Sequence, residues 1–137
     1  MLFVGRRTPK GAEVTVDGEP LPLYLEEINH SPTGAEWGYG GSGPAQLAYA
    51  LLRHTFGRGI ALEFYQDAKD WIAQWPQQGW NLGSHDLGEW LLSSKERAWR
   101  LLRLAQEPCQ VLCEPLEDCP CWRKGVDDGR LEALRDD

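Results

Sequence analysis

The first part of the chain alternates apolar and polar positions with the two-residue period of a β-strand. Residues 2–6 and 12–17 follow this pattern, and a turn-forming segment, residues 8–11, separates them. Residues 21–25 alternate in the same way, which predicts a third strand. Two prolines lie beside that strand or within it, so we expect it to be short or to lie at a sheet edge.

Three later segments show the period of an α-helix, which predicts helices over residues 44–56, 62–75 and 85–105. The first helix is apolar on nearly every side, as is typical of a buried helix, and Pro44 suits its first position. A short helix is also predicted at 127–135. The pattern therefore predicts an α+β fold, in which two to three short N-terminal antiparallel strands pack on about three helices and a Cys-rich C-terminal tail follows.

A loop rich in glycine lies between the predicted strands and the first helix, with four glycines in six residues. Glycine loses much conformational entropy on folding, so this density indicates a backbone path that side chains would block. The loop leads into a helix N-terminus, where unpaired amides and a positive dipole can hold a phosphate or carboxylate. Aromatic rings beside it can stack on a base or sugar. The candidate ligand-binding residues are Trp37, Tyr39, Gly40, Gly41, Ser42 and Gly43.

Other interpretations of the same loop stay open. In a purely structural one, the glycines let the loop pass close to the sheet, and Ser42 or Gly43 caps the helix. Residues 38–43 match the G-x-G-x-x-G motif of a dinucleotide-binding loop, but the residues before them do not resemble the buried strand that this motif follows. A P-loop needs a Gly-Lys-Ser/Thr sequence, which this loop lacks. A hydrolase nucleophile elbow needs glycine two residues after the serine, and here Pro44 stands two residues after Ser42.

The run from Ser31 to Ala48, SPTGAEWGYGGSGPAQLA, resembles the signature of a bacterial and phage family of domains of unknown function. In that family, short strands precede a W-G-Y-G-G-S-G-P-x-x-L-A block. A helix with an aromatic residue and a lysine follows, and then a lone tryptophan; here these residues are Phe64, Tyr65, Lys69 and Trp80. The resemblance covers about residues 2–92. It implies a domain over that range and no established activity.

All four cysteines fall within thirteen residues, at Cys109, Cys113, Cys119 and Cys121. Four thiolates can form a closed tetrahedral zinc site, and a metal would explain how a tail with few apolar residues becomes ordered. The spacing departs from the usual paired C-x2-C, so disulfides and unliganded thiols stay as alternatives, and an iron–sulfur cluster is a minor variant of the metal site. The predicted organisation is a domain over residues 1–106 and an acidic tail over 107–137, with structural zinc as the expected cofactor.

Charge narrows the range of partners. The formal net charge is −7, and residues 107–137 carry nine acidic residues against four basic ones. This balance disfavours general binding to nucleic acid, which usually needs a basic surface. The chain has no apolar run of about 18 residues, and no charged segment precedes its apolar start. We therefore expect a soluble cytoplasmic protein without a membrane span.

Three functions fit these observations. The leading one is a small soluble binding protein that takes an anionic ligand or nucleotide at the glycine-rich loop. The second is a protein-interaction module, associated with mobile elements, whose tail is held by structural zinc. The third is an enzyme, of a class that the sequence does not indicate, because its three histidines are scattered and no nucleophile–base pair is evident. The sequence indicates no oligomeric state.

Overall fold

The structure is a computed structural model of the 137-residue chain and describes residues 1–31 and 34–106. The chain divides into two compact units, Met1–Ser84 and His85–Asp137. Strands and helices both occur, so the predicted α+β class is confirmed. The elements in chain order are β1 Leu2–Thr8, β2 Gly11–Val16, β3 Glu19–Pro20, α1 Ser42–Phe56, α2 Arg58–Ile72, β4 Gly79–Gly83, α3 Ser84–Leu92 and α4 Lys95–Gln106.

The four strands form one antiparallel sheet in the order β3-β2-β1-β4. Phe3 of β1 lies opposite Val16 of β2 on one side and opposite Leu82 of β4 on the other. All three side chains are buried, which fixes the register, because a slip by one residue would expose them. The Phe3 ring meets the ring of His54 edge-on at 6.2 Å, so this face of the sheet packs towards α1.

Helix α1 is the buried helix that the sequence predicts, since every residue from Gly43 to Leu52 is buried. It ends at Phe56 as predicted, and the amide of Gly57 donates to the Arg53 carbonyl at 3.0 Å. Its start differs from the prediction. Gly41 occupies the N-cap position and no side chain caps the helix, so the expectation that Ser42 or Gly43 is the cap is wrong.

The third strand is shorter than the alternating pattern predicts. It contains only Glu19–Pro20, and residues 21–25 leave the sheet. The Leu21 amide still donates to the Val14 carbonyl, but Tyr24 adopts a φ of 57°, which ends the extended conformation. The Tyr24 carbonyl then accepts hydrogen bonds from two amides three and four residues later, forming a turn.

The predicted helix at 85–105 is two helices, α3 and α4. Ser94 ends the continuity, because its Oγ accepts a hydrogen bond from the Arg97 amide at 3.3 Å, in the manner of an N-cap. The guanidinium of Arg97 also donates to the Trp90 carbonyl and to Ser93 Oγ, each at 2.8 Å from Nη2. These bonds fix the turn between the two helices.

Among the described residues, no helix combines the length and the apolar character that crossing a bilayer requires. The cysteine-rich tail and the predicted helix at 127–135 lie outside those residues. The expected division between residues 106 and 107 coincides with the end of the described part, so it stays a prediction.

Candidate functional site

The base of the glycine-rich loop is held by Arg7, near the end of β1. Its Nη1 pairs with Glu36 Oε1 at 2.6 Å, its Nη2 donates to the Trp37 carbonyl at 3.2 Å, and its Nε donates to the Gln77 carbonyl at 2.8 Å. The guanidinium also lies 4.5 Å from the centroid of the Trp37 ring, a cation–π geometry. One side chain therefore joins β1, the loop and the connector between α2 and β4.

The last residue of α2 and the connector after it hold the loop through three further hydrogen bonds. The Gly38 amide donates to the Ile72 carbonyl at 3.1 Å, and Gln77 Nε2 donates to the Gly38 carbonyl at 3.2 Å. The indole Nε1 of Trp37 donates to the Gln77 carbonyl at 3.1 Å. The backbone of residues 36–38 is thus fixed from both sides before the loop reaches its tip.

Trp37 belongs to the core. It is 0% exposed, and its ring meets that of Trp80 edge-on at 5.6 Å, while Trp80 in turn lies 4.7 Å from Trp75. A ring with no accessible face cannot stack on a ligand. This corrects the expectation that Trp37 and Tyr39 together provide a stacking surface, and it agrees with a core role for Trp75 and Trp80.

Two of the loop glycines are explained by internal packing. Gly38 has a φ of 79°, and a Cβ added to it would lie 2.6 Å from Gln77 Cγ. A Cβ added to Gly43 would lie 2.6 Å from the Cβ of Glu36. At these two positions, the absence of a side chain is needed for the loop to pack, as the structural interpretation holds.

The tip of the loop, residues Tyr39–Ser42, is exposed. Tyr39 is 47% exposed, and Gly41 has a φ of 144° that favours glycine. Gly40 is different, because its φ lies outside the left-handed region and an added Cβ would meet nothing within 4 Å. The structure therefore contains no packing reason for glycine at position 40.

The loop tip adjoins the positive end of α1. The first turn of α1 carries no acidic residue, and no side-chain oxygen caps it. The first amides of a helix have no intrahelical acceptor, and Pro44 supplies none of them, so Ser42 and Gly43 carry the first two donors. The nearest carboxylate along the loop, Glu36, has its charge matched by Arg7.

A second polar cluster fastens residues 21–31, here called the strap, onto α1. The side chain of Gln46 is 0% exposed and makes four hydrogen bonds to the strap. Its Oε1 accepts from the amides of His30 and Ser31 at 2.8 and 3.3 Å. Its Nε2 donates to the carbonyls of Leu23 and Ile28 at 2.7 and 3.0 Å. Gln46 therefore replaces the strand hydrogen bonds that the strap lacks.

Glu27 of the strap lies against two donors from α1. Arg53 Nε donates to both carboxylate oxygens, at 2.9 and 3.2 Å, and the Tyr49 hydroxyl donates to Oε1 at 2.6 Å. The hydrogen bond from Arg53 lowers the pKa of Glu27. Burial, together with the bond to Glu27, raises the pKa of Tyr49 to about 12. The Glu27 carboxylate is paired with the Arg53 guanidinium and the Tyr49 hydroxyl, so this cluster is structural and Glu27 is not available as a general base.

Two histidines form hydrogen bonds with tyrosines at the strap, His54 from α1 and His30 within the strap itself. His54 Nδ1 lies 2.8 Å from the Tyr24 hydroxyl, and His30 Nε2 lies 3.0 Å from the Tyr65 hydroxyl. His54 is therefore a hydrogen-bonded residue at the rim of the core. His85 is exposed and lies 3.3 Å from Asp86. Within the described residues, no three His, Cys, Asp or Glu side chains are grouped as metal ligands.

A family model described as "Family of unknown function (DUF6166)" matches residues 3–93, which is most of the chain. The chain belongs to the DUF6166 family. No curated protein and no solved structure matches it. The DUF6166 match contains Arg7, the whole glycine-rich loop and the strap, and it ends one residue after α3. Helix α4 and the tail therefore lie outside the family domain.

Sequence reasoning overlooked the two residues that organise the DUF6166 domain, Arg7 and Gln46. For each of them, the sequence contains a feature that could have indicated its role. Alternate residues of a strand share one face, so Arg7 lies on the same face of β1 as Phe3 and Gly5, which are buried. Gln46 is a polar residue in the most apolar stretch of α1, where a buried amide must have partners. The four cysteines lie outside the described residues, so the zinc site stays a prediction.

The Tyr49 phenol makes stability depend on pH in the alkaline range. The unfolded chain ionises it near its ordinary pKa of 10.0, whereas the folded protein does so at about 12. The folded state holds this proton more tightly, so its contribution is complete below about pH 10 and is lost as the pH rises towards about 12. We expect Tyr49→Phe to lower the free energy of unfolding at about pH 8 and to flatten its decline between about pH 10 and 11.5.

Urea unfolding followed by circular dichroism at several pH values measures both effects. Tyr39→Phe is the matched control, since it makes the same chemical change on an exposed ring. An equally steep decline in Tyr49→Phe would show that another group causes it.

Proposed function

We propose that the DUF6166 domain of this chain is a small binding domain that takes an anionic ligand at the loop tip, residues Tyr39–Ser42, and the adjoining amide of Gly43. The observation that carries the proposal is the exposed tip beside the uncapped N-terminus of α1, whose first turn has no acidic residue. Gly40 lies in this tip, and a Cβ added to it would meet nothing within 4 Å, so its backbone is open to close approach by a ligand.

Electrostatics supports an anion as the ligand. The uncapped first turn of α1 presents main-chain donors and the positive end of a 15-residue helix. The carboxylate closest to the tip along the loop is already paired with Arg7, at 2.6 Å. An arriving anion would therefore meet donors at the tip, beside a neutralised Glu36.

The fixed base of the loop supports binding as well. Hydrogen bonds from Arg7 and Gln77 hold residues 36–38, so the tip is positioned before any ligand arrives. Preorganisation of this kind reduces the entropy that binding costs. The exposed ring of Tyr39 adds a face for a base or sugar, which favours a nucleotide over inorganic phosphate alone.

The test is a thermal-shift and calorimetry series with inorganic phosphate, AMP and ATP. A ligand at about 100 times its Kd stabilises the folded state by about 2.7 kcal/mol, which a melting curve resolves. We expect Gly40→Val to abolish the shift while leaving the melting temperature of the unliganded protein nearly unchanged. We expect Ser42→Asp to weaken binding and to raise the unliganded melting temperature, because its carboxylate occupies the positive helix end.

The control is Gly59→Ala, a glycine in open space on α2, remote in sequence from the loop. It should leave every ligand shift intact. The proposal fails if none of the three probes changes the melting temperature, or if Gly40→Val binds as well as the unsubstituted chain. Tyr39→Ala separates the ligand classes, because it should remove the advantage of AMP over phosphate.

A further inference from the structure

Helix α4 carries an exposed stripe of apolar and basic side chains outside the DUF6166 match. Lys95, Trp99, Leu102 and Arg103 are spaced as i, i+4, i+7 and i+8, which places them along one side of a helix. Trp99 is 65% exposed and Leu102 is 38% exposed. Trp99 is the most exposed large hydrophobic side chain among the described residues, so the stripe has the character of a docking surface.

The charge of α4 defines what the stripe would bind. The stripe contains two basic residues, Lys95 and Arg103, and no acidic one. The Arg103 guanidinium lies 5.9 Å from the centroid of the Trp99 ring, so cationic and apolar surface adjoin. An acidic segment with two apolar anchors one helical turn apart would match this surface.

The chain itself provides such a segment. Residues 127–137, DDGRLEALRDD, contain five acids against two arginines, and Leu131 and Leu134 stand three residues apart. The intervening residues 107–126 can extend to about 65 Å, more than the roughly 18 Å length of α4, so the segment reaches every part of the stripe. Tethering also gives it an effective concentration of about millimolar or more, which another acidic protein would have to exceed.

We propose that the Trp99–Leu102 stripe of α4 is the docking surface for this chain's own C-terminal segment, residues 127–137. In this proposal Leu131 and Leu134 are the apolar anchors for Trp99 and Leu102, and the acidic residues of the segment complement the charge of the stripe. The interaction lies wholly within the unit that begins at His85, so it is independent of the ligand proposed for the loop.

Hydrogen exchange of the full chain, read by mass spectrometry, tests the proposal. We expect amides of residues 129–135 to exchange at least about tenfold more slowly than those of an unstructured peptide of the same sequence. The double variant Trp99→Ser with Leu102→Ser should return them to the unstructured rate. Both replaced side chains are exposed, and a melting curve confirms that the variant folds. Tyr39→Ala, which removes an exposed aromatic ring remote in sequence, should keep the protection.

A second measurement monitors Trp99 of the stripe while the C-terminal segment is changed. The indole N–H resonance of Trp99, assigned by its disappearance in Trp99→Phe, should shift when Leu131 and Leu134 are both replaced by serine. The proposal is overturned if residues 129–135 exchange at the unstructured rate in the full chain, or if their protection survives the Trp99/Leu102 substitutions. Protection that rises with protein concentration, together with a dimer in light scattering, would assign the stripe to a second copy and likewise overturn it.

Discussion

Replacing Gly5 by alanine is expected to be among the most damaging single substitutions in the described part of the chain. A Cβ at this position would lie 2.3 Å from Cε2 and 2.4 Å from Nε1 of Trp80, so the indole would have to leave its place against β1. Trp80 is packed among Trp37 and Trp75 and cannot simply rotate away. We expect a loss of about 3–5 kcal/mol in the free energy of unfolding, the range for a displaced large aromatic side chain.

The position of Trp80 is set by packing rather than by hydrogen bonding. Its buried Nε1 has no hydrogen-bond partner among the described residues, so no polar contact would hold the ring after the alanine is introduced. Urea unfolding measures the loss, and Gly59→Ala provides the comparison. That substitution makes the same chemical change in open space on α2 and should be neutral or stabilise by up to about 1 kcal/mol. Similar stabilities for the two variants would contradict the close approach of Trp80 to Gly5.

The second large effect is expected for Gln46→Leu. Leucine has nearly the volume of glutamine but cannot bond to the strap, so two amides and two carbonyls lose their partner. A buried polar group left unsatisfied costs about 1–3 kcal/mol. Some of the four groups can reach water when the strap loosens, so we expect a total loss of about 3–5 kcal/mol.

Gln66→Leu is the matched control, because Gln66 is an exposed residue of α2 and should change stability by less than about 0.5 kcal/mol. Hydrogen exchange gives a second measurement. In Gln46→Leu the strap amides should exchange faster, while those in the middle of α1 keep most of their protection. A Gln46→Leu variant as stable as Gln66→Leu would show that the strap is held without the buried amide.

The helical core could be predicted from the sequence because its signals are local. Pro44 lies in the first turn of α1, Gly57 follows its last residue, and an apolar run lies between them, so the buried helix could be predicted directly. The exposed loop tip before it was also evident as a candidate. The sequence did not indicate that Trp37 is buried and so lies outside that site. Its burial depends on Trp80, which is distant in the sequence.

Strand β4 and the shortness of β3 could not be predicted by the same means. Gly79–Gly83 is only five residues long and begins and ends in glycine, so it resembles a connector until β1 is placed beside it. Residues 21–25 alternate like a strand, yet Gln46 supplies their main chain with hydrogen bonds from a helix instead of a sheet. Ser94, by contrast, was a readable stop signal, because a serine followed by charged residues commonly starts a new helix.

The pairing of β1 with β4 joins the beginning of the chain to a strand nearly eighty residues later. During translation, a nascent chain that ends before Gly79 has β2 as the only long neighbour of β1, and no indole covers Gly5. We expect ribosome-bound intermediates of this length to expose a strand edge that other chains can pair with, while α1 and α2 already form from local contacts. We therefore expect the sheet to be completed only after Trp80 and Leu82 have left the ribosome.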